Sequence, residues 1–447
     1  MTAEVAILNT AAVALASDSA VSFGTVPKVY SSTNKLFALS KFHPVGIMFF
    51  NHAALFGVPW ESIVKIYRER LGSTSFPQLQ DYFDHFLLFI RSAEDLFPLN
   101  QQEQYVRGMM FEYFAFLRKK IDEAVQVELQ KNPKVTKAVI GKKLAQLIAT
   151  QHKAWQKFDF ADDWSTREVN KFVNAFESLI VEVKDRIFQH HVFSATALKQ
   201  LKQMAAWLFS RKRFDKRYSG IVIAGFGQND TFPSLRSCWI EGIVNGKLKM
   251  MNRQSVSISP EMAASVVPFA QDEMVGTFME GVDPNLLESL EEYIQKVFNE
   301  YPDIVVAKID GLDEATRNSV AQELKEAGAK VFEKFRSETK AIRNTKYVQP
   351  IIQAVTALPK DELAAMAESL VSLTSFKRKV STDVETVGGP VDVAVISKGD
   401  GFVWVKRKSY FDLNLNPRFY HSHLTEAINR KEKDNGRETK KTRKREG

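Results

Sequence analysis

Thr2, the residue after the initiator methionine, carries the most chemical information in this chain. A methionine that precedes a small residue is a good substrate for removal, and its loss would leave Thr2 with a free α-amine beside its own hydroxyl. A hydroxyl with an adjacent amine is a compact nucleophile and base for attack on an amide carbonyl. Asp18 and Lys28 follow at spacings that suit such a unit. These three residues predict hydrolytic chemistry.

The composition is that of a soluble globular protein. Of the 447 residues, 45% are hydrophobic and 26% are charged, which predicts roughly two to three domains, or one domain with a large insertion. Cys238 is the lone cysteine, so an internal disulfide and a thiolate metal cluster are excluded and a reducing compartment is favoured. The stretch before Lys28 lacks the basic start of a secretory signal, and no apolar run reaches about 18 residues. The sequence therefore predicts a cytoplasmic protein without a membrane partner.

Positive charge is concentrated at the C-terminal end. Residues 430–447 hold nine Lys or Arg and four Asp or Glu, and so contribute most of the net charge of +8. This tail has no apolar residues, which predicts disorder. A solvated tail is the favoured interpretation, and nucleic-acid binding, which would depend on the tail alone, is unlikely on sequence grounds.

Strands at both ends of the chain must position Thr2, Asp18 and Lys28. Residues 4–15 alternate as a strand with a possible turn at Asn9-Thr10, residues 28–39 form a second candidate, and 45–50 is an apolar run typical of a buried strand. Further strands are predicted at 221–226, at 236–251 as a hairpin with Asn245-Gly246 at its turn, and at 391–408 as a hairpin around Gly399-Asp400-Gly401.

Helices fill the middle of the sequence. They are predicted at 60–71, after Pro77, through nearly all of 100–215, from Asp283 to Phe298, and over 313–345 and 349–372, with Pro359 interrupting the last. Strands at both ends with helices between them favour two antiparallel sheets sandwiched by helices. The block at 100–215 is predicted to be an insertion.

These features together resemble the proteasome β-subunits and the related HslV-type peptidases. The spacing of Thr2 and Asp18, the segment Lys28-Val29-Tyr30, and the strand 391–396 after Gly388-Gly389 are similar to motifs of that family. The resemblance implies an α+β fold, the four-layer αββα sandwich of N-terminal-nucleophile (Ntn) hydrolases, over 2–95 and 220–410. The helical insertion at 100–215 and the tail at 430–447 lie outside it.

The resemblance also implies roles for the site residues. Thr2 Oγ would attack the carbonyl and form an acyl-enzyme, with the Thr2 α-amine as general base. Lys28 would lower the electrostatic cost of deprotonating Thr2, and Asp18 would pair with Lys28. The backbone N–H of Asn51 would stabilise the oxyanion.

Some positions depart from the family pattern. Asn51 stands where the family has glycine, and Val387 stands where a supporting serine is expected. Gln271-Asp272 and Asp383 lie near the places of the other supporting residues, and Lys28 comes several residues early. A catalytically inactive module that retains the fold for oligomerisation is therefore the alternative hypothesis.

The expected partners follow from the same resemblance. They are a peptide or protein substrate, further copies of the chain in a homo-oligomer, and a possible separate ATPase unfoldase. No cofactor and no metal are expected. His421 and His423 share a strand face and could bind a metal, but loop histidines are the favoured interpretation, and Gly225-Phe226-Gly227 lacks the helix that a nucleotide-binding loop requires.

Overall fold

A computed structural model describes most of the chain. It covers residues 2–23, 28–30, 32–131, 136–189, 191–215, 217–381, 387–409, 411–412 and 415–417. Residues 1–406 form one compact unit and residues 407–447 form a second. The elements described here belong to the first unit, and the predicted basic tail lies outside the described residues.

The strands fall where short apolar or alternating segments occur in the sequence. They are β1 Ala3–Asn9, β2 Ala12–Ser17, β3 Val21–Phe23, β4 Lys28–Tyr30, β5 Leu36–Ala38, β6 Val45–Asn51, β7 Ala54–Leu55, β8 Val58–Pro59, β9 Ser219–Gly225, β10 Ser234–Val244, β11 Lys247–Ser257, β12 Ala264–Ala270, β13 Asp392–Ser397 and β14 Gly401–Lys406.

The helices follow the amphipathic segments. They are α1 Trp60–Leu71, α2 Leu79–Ser92, α3 Leu99–Lys131, α4 Lys137–Gln156, α5 Thr166–Ala175, α6 Glu177–Phe188, α7 Ala195–Ser210, α8 Glu273–Glu280, α9 Pro284–Ala307, α10 Glu314–Arg343, α11 Gln349–Ala357 and α12 Lys360–Val380. Among the described residues, none of the helices is both long and apolar enough to cross a membrane.

Two five-stranded antiparallel sheets organise the unit. The first sheet has the strand order β12-β1-β2-β13-β14, and the second has the order β11-β10-β9-β6-β5. β1 and β2 are joined as a tight hairpin in which Glu4 pairs with Ser17. In the second sheet, Asn51 at the end of β6 pairs with Ser219 at the start of β9.

Apolar side chains cover both faces of each sheet. Every residue of β1 and of β2 is buried, which requires packing on both sides. One core holds residues of both sheets, including Ala6, Leu8, Met48, Phe50 and Phe269. A second core joins the other face of the first sheet to α12 through Val5, Ile7, Leu363 and Ala367. A third joins the second sheet to α1 and α2.

Helices α3–α7 build a core of their own. Its buried residues include Phe114, Leu117, Ile180 and Trp207, and Val244 of β10 also contributes. The helical prediction for 100–215 is therefore correct. Whether this block is an insertion between the two parts of one domain stays a prediction, because the block lies within the same compact unit.

Two local predictions need correction, and one strand was missed. The candidate strand at 28–39 is two short strands, β4 and β5, in different sheets. Within the predicted helical block 100–215, the segment after Ser165 is divided at Phe176 into α5 and α6. No strand was predicted at β12, because Pro268 interrupts its pattern; proline is tolerated there since β12 is an edge strand that pairs with β1.

Gly220 provides a test of this packing. It lies in β9 opposite Phe50, and a Cβ at this position would lie 2.0 Å from the Phe50 ring. We expect Gly220→Ala to lower the free energy of unfolding by about 1–3 kcal/mol, the usual cost of overpacking, as measured by urea denaturation.

Gly399→Ala is the matched control for this prediction. A Cβ at Gly399 would contact nothing within 4 Å, so the expected change is within about 0.5 kcal/mol. Equal effects of the two substitutions would contradict the close contact between Gly220 and Phe50.

Candidate active site

Thr2 lies immediately before β1 and contacts Asn51 at the end of β6 in the second sheet. It is 3% exposed. Its carbonyl oxygen accepts a hydrogen bond from the backbone N–H of Gln271, at 3.2 Å, which continues the pairing of β1 with β12. Its hydroxyl Oγ accepts from the backbone N–H of Asn51, at 3.3 Å. The predicted nucleophile and the predicted oxyanion donor are thus in contact.

Asn51 adopts the conformation that aims its N–H at Thr2. Its φ is +68°, in the left-handed region that glycine favours and asparagine tolerates better than most residues. Its side-chain amide is held by another partner, because Nδ2 donates to the carbonyl oxygen of Tyr218 at 2.7 Å. Asn51 therefore adopts the positive φ, and presents the N–H, that a glycine would provide at this position.

Neighbouring hydrogen bonds fix the chain after Asn51. The indole N–H of Trp60 donates to Ser219 Oγ at 2.9 Å, and Ser219 Oγ donates to the carbonyl oxygen of His52, also at 2.9 Å. Trp60 is buried and its ring stacks on Phe49, with 4.6 Å between centroids. The first residue of α1 thereby anchors the segment that carries the N–H donor.

Asp18 is a buried carboxylate surrounded by donors. Its Oδ1 accepts from the N–H of Ala3 at 3.2 Å, and its Oδ2 accepts from the N–H of Ala20 at 3.2 Å and of Gly388 at 3.1 Å. Its own N–H donates to the carbonyl oxygen of Ala3 at 3.1 Å. Asp18 therefore holds the residue that follows Thr2.

The cation that pairs with Asp18 is Lys35. Its Nζ lies 2.7 Å from Asp18 Oδ1, and the side chains of the two residues are 6% and 0% exposed. Lys35 lies immediately before β5 and reaches from there to the carboxylate at the end of β2. The charge of the same lysine also acts on a second buried carboxyl group, that of Glu4.

This finding corrects the sequence prediction, which assigned the pairing to Lys28. Lys28 begins β4 in a two-stranded ribbon with β3, and its side chain lies outside the described residues. The motif Lys28-Val29-Tyr30 matches the family in residue types, but Lys28 comes several residues early for the family spacing. The run Asn34-Lys35-Leu36 lies closer to that spacing.

The supporting positions differ in what they contribute. Val387 is buried, but the neighbouring Gly388 contacts Asp18 through its main chain. Gln271 contacts Thr2 through its backbone and accepts from Arg378 Nε through Oε1 at 2.8 Å. Asp383 lies outside the described residues, so its predicted role stays a prediction.

The described residues include no group of three or more His, Cys, Asp or Glu side chains that could hold a metal. His421 and His423 lie outside this part of the chain. The groups that the described residues place together at the site are a buried threonine hydroxyl, an N–H aimed at it, and a buried carboxylate–lysine pair beside it. This arrangement suits nucleophilic attack on a carbonyl carbon.

Comparisons with known proteins add distant likenesses. No family model matches the chain, and no curated protein matches it. Among solved structures, a Gly-1 mutant of Anbu from Hyphomicrobium sp. strain MC1 is 9% identical with a TM-score of 0.28, covering 96% of this chain and 97% of that one. Anbu from Yersinia bercovieri, an ancestral β-subunit, is 9% identical with a TM-score of 0.25, covering 95% of each chain. TM-scores this low do not establish a shared fold or activity.

The buried pair of Asp18 and Lys35 is expected to contribute to the free energy of unfolding. Lys35→Met removes the cation and leaves Asp18 charged and enclosed, so we expect a loss of about 3–5 kcal/mol in the free energy of unfolding, as measured by urea denaturation near neutral pH.

The control is Lys65→Met. Lys65 pairs with Glu61 at 2.6 Å, but the two side chains are 57% and 37% exposed, so the expected loss is at most about 1 kcal/mol. A comparable loss in both variants would show that the enclosure of Asp18 is unimportant.

Proposed function

We propose that this protein is an N-terminal-threonine hydrolase that cleaves peptide or amide bonds. The observation that carries the proposal is the contact between the Asn51 N–H and Thr2 Oγ, beside the buried pair of Asp18 and Lys35. A hydroxyl that already lies against a fixed main-chain donor is placed to convert a bound carbonyl into a stabilised oxyanion.

The proposed reaction begins with removal of Met1, which frees the Thr2 α-amine. That amine takes the proton of Thr2 Oγ, directly or through water, as Oγ attacks the carbonyl carbon of the substrate. The tetrahedral oxyanion then accepts a hydrogen bond from the backbone N–H of Asn51. The amine returns the proton to the leaving nitrogen, the C–N bond breaks, and an ester to Thr2 remains. Water activated by the same amine hydrolyses this ester and restores the hydroxyl.

Lys35 takes the electrostatic role that the sequence assigned to Lys28. A positive charge close to Thr2 favours the alkoxide character that develops on Oγ. Asp18 keeps Lys35 in place, because its oxygens also accept the N–H groups of Ala3 and Gly388. Asp18 is thus a positioning residue in this proposal, whereas Thr2 and the Asn51 N–H contact the reacting atoms.

We infer that the fold is the four-layer αββα sandwich that the sequence suggests. The three cores support this assignment: one between the sheets, one under α12 and one under α1 and α2. The inactive module is the second candidate function, and the buried Val387, at a place where the family has a serine, favours it.

Two measurements decide between these functions. Intact mass spectrometry is expected to show the loss of Met1. An electrophilic probe for N-terminal threonine, followed by tryptic mapping, is expected to label Thr2, and Thr2→Ala should reduce labelling and any amidase activity to background because it removes the nucleophile.

Thr10→Ala is the matched control, since Thr10 lies in the turn between β1 and β2, away from the site. The Thr10→Ala variant should be labelled at Thr2 at the wild-type rate. Retention of Met1 in the purified protein, or labelling of a folded Thr2→Ala variant at the wild-type rate, would rule out the mechanism; the first result would favour the inactive module.

The homo-oligomer belongs to the same proposal. One face of α9 exposes large apolar side chains at helical spacing, namely Leu286, Leu290, Tyr293, Val297, Tyr301 and Ile304. A continuous apolar stripe of this kind is usually covered in solution, and a second copy of the chain is the partner that the sequence resemblance implies.

Light scattering is expected to give the mass of more than one chain, and Val297→Glu should reduce that mass because it places a charge in the stripe. Lys296→Glu is the neighbouring control: Lys296 belongs to an exposed ion pair with Glu300, so its variant should keep the wild-type mass. A monomeric wild type at all accessible concentrations would contradict the proposal.

A further inference from the structure

Glu4 is a buried carboxyl group that the proposed mechanism does not use. It lies in β1 opposite Ser17 of β2 and opposite Phe269 of β12, and it is 1% exposed. It has the same parity as Ala6 and Leu8, so its side chain faces the core between the two sheets. A carboxyl group in such a core is expensive to ionise.

The hydrogen bonds around Glu4 lack a donor if the group is ionised. Ser17 Oγ lies 3.2 Å from Glu4 Oε1 and 3.1 Å from the carbonyl oxygen of Asp18, yet the serine hydroxyl carries a single proton. Glu4 Oε2 has no hydrogen-bond partner among the residues that the structure describes. A proton on Glu4 resolves the shortage, because the acid then donates to Ser17 Oγ while Ser17 donates to Asp18.

The charges around Glu4 also favour the acid. Lys35, whose charge acts on Glu4, is already paired with Asp18 at 2.7 Å, and Asp18 repels a second negative charge. On β13, Asp392 lies on the same face beyond Ser17, and on β12 the opposing residue is the apolar Phe269. Burial, the largest effect, raises the pKa of Glu4 well above its usual value; Lys35 and Ser17 act in the opposite direction, and Asp18 adds to the rise.

We propose that Glu4 is held as the neutral acid in the folded protein, and that its ionisation draws the charge of Lys35 away from Thr2 and so lowers the reactivity of the threonine hydroxyl. Glu4 is then a positioning residue that makes the site sensitive to rising pH. The statement on reactivity rests on the proposed hydrolase function, whereas the statement on protonation does not.

The consequence for stability has a defined sign. Because the pKa of Glu4 is raised in the folded state, its contribution is fully present below the ordinary glutamate pKa of about 4.3 and is lost as the pH rises through the folded value. Glu4→Gln keeps the shape and the donor of the acid but does not titrate. Its urea midpoint should exceed that of the wild type by a margin that grows between about pH 5 and pH 8.

Glu241→Gln is the matched control with the opposite sign. Glu241 is also buried, but its Oε2 lies 2.8 Å from Lys249 Nζ, with the side chains 1% and 4% exposed. That carboxylate has a cation of its own, so its replacement should lower the urea midpoint at neutral pH. A midpoint of Glu4→Gln that equals the wild type at every pH, or that falls below it at neutral pH, would overturn the proposal.

Two further measurements address protonation and reactivity separately. Infrared difference spectra of the wild type minus Glu4→Gln, at neutral pH, should contain the carbonyl stretch of a protonated carboxyl; its absence would overturn the proposal. The rate of Thr2 labelling in Glu4→Gln, divided by the wild-type rate, should rise with pH, and a ratio that does not change with pH would overturn the link to reactivity. If Thr2 is not labelled in either protein, the hydrolase function fails, and the stability and infrared results still decide the protonation of Glu4.

Discussion

The buried ion pair of Asp18 and Lys35 is the interaction on which the geometry around Thr2 depends. Removing two charges from water is costly, and a pair of this kind persists when further hydrogen bonds satisfy its remaining lone pairs. Here the N–H groups of Ala3, Ala20 and Gly388 do so. These donors lie in β1, in the segment after β2 and in the segment before β13. The Asp18 carboxylate therefore connects three parts of the first sheet to Lys35, which lies immediately before β5 of the second sheet. The residue after Thr2 cannot move without disturbing this pair.

The second sheet supplies the other half of the site through its main chain. Asn51 ends β6 with a positive φ, and the hydrogen bonds of Trp60 and Ser219 hold the segment that follows. The hydroxyl of Thr2 thus belongs to the first sheet and its donor to the second. The relative position of the sheets is set by the core between them, where Phe50 and Phe269 approach to 5.6 Å between ring centroids. Core packing therefore determines the distance between the Thr2 hydroxyl and its N–H donor.

Local signals in the sequence were sufficient to predict most of the strands and helices. The Asn245-Gly246 turn has positive φ at both residues, as its hairpin requires, and the helix that follows Asp283 begins where the cap and Pro284 place it. Features that depend on distant partners were not predictable. Lys35 and Lys28 are equivalent as residue types, and what distinguishes them is which one lies within reach of Asp18 in the fold. In the sequence, Glu4 is an ordinary residue at the start of a predicted strand. Its enclosure follows from the fold, which places Phe269 and Ser17 opposite it.

The departures from the family pattern change side chains more than they change the polar groups at the site. At Asn51 the group that contacts Thr2 is a backbone N–H, and beside Val387 the group that contacts Asp18 is the backbone N–H of Gly388. Any residue other than proline presents such a donor, so these two contacts are compatible with the observed substitutions. The same reasoning does not extend to Thr2, Asp18 and Lys35, whose side-chain atoms make the contacts. The proposed reaction therefore depends on these three side chains, and its proposed pH dependence on the protonation of Glu4 beside them.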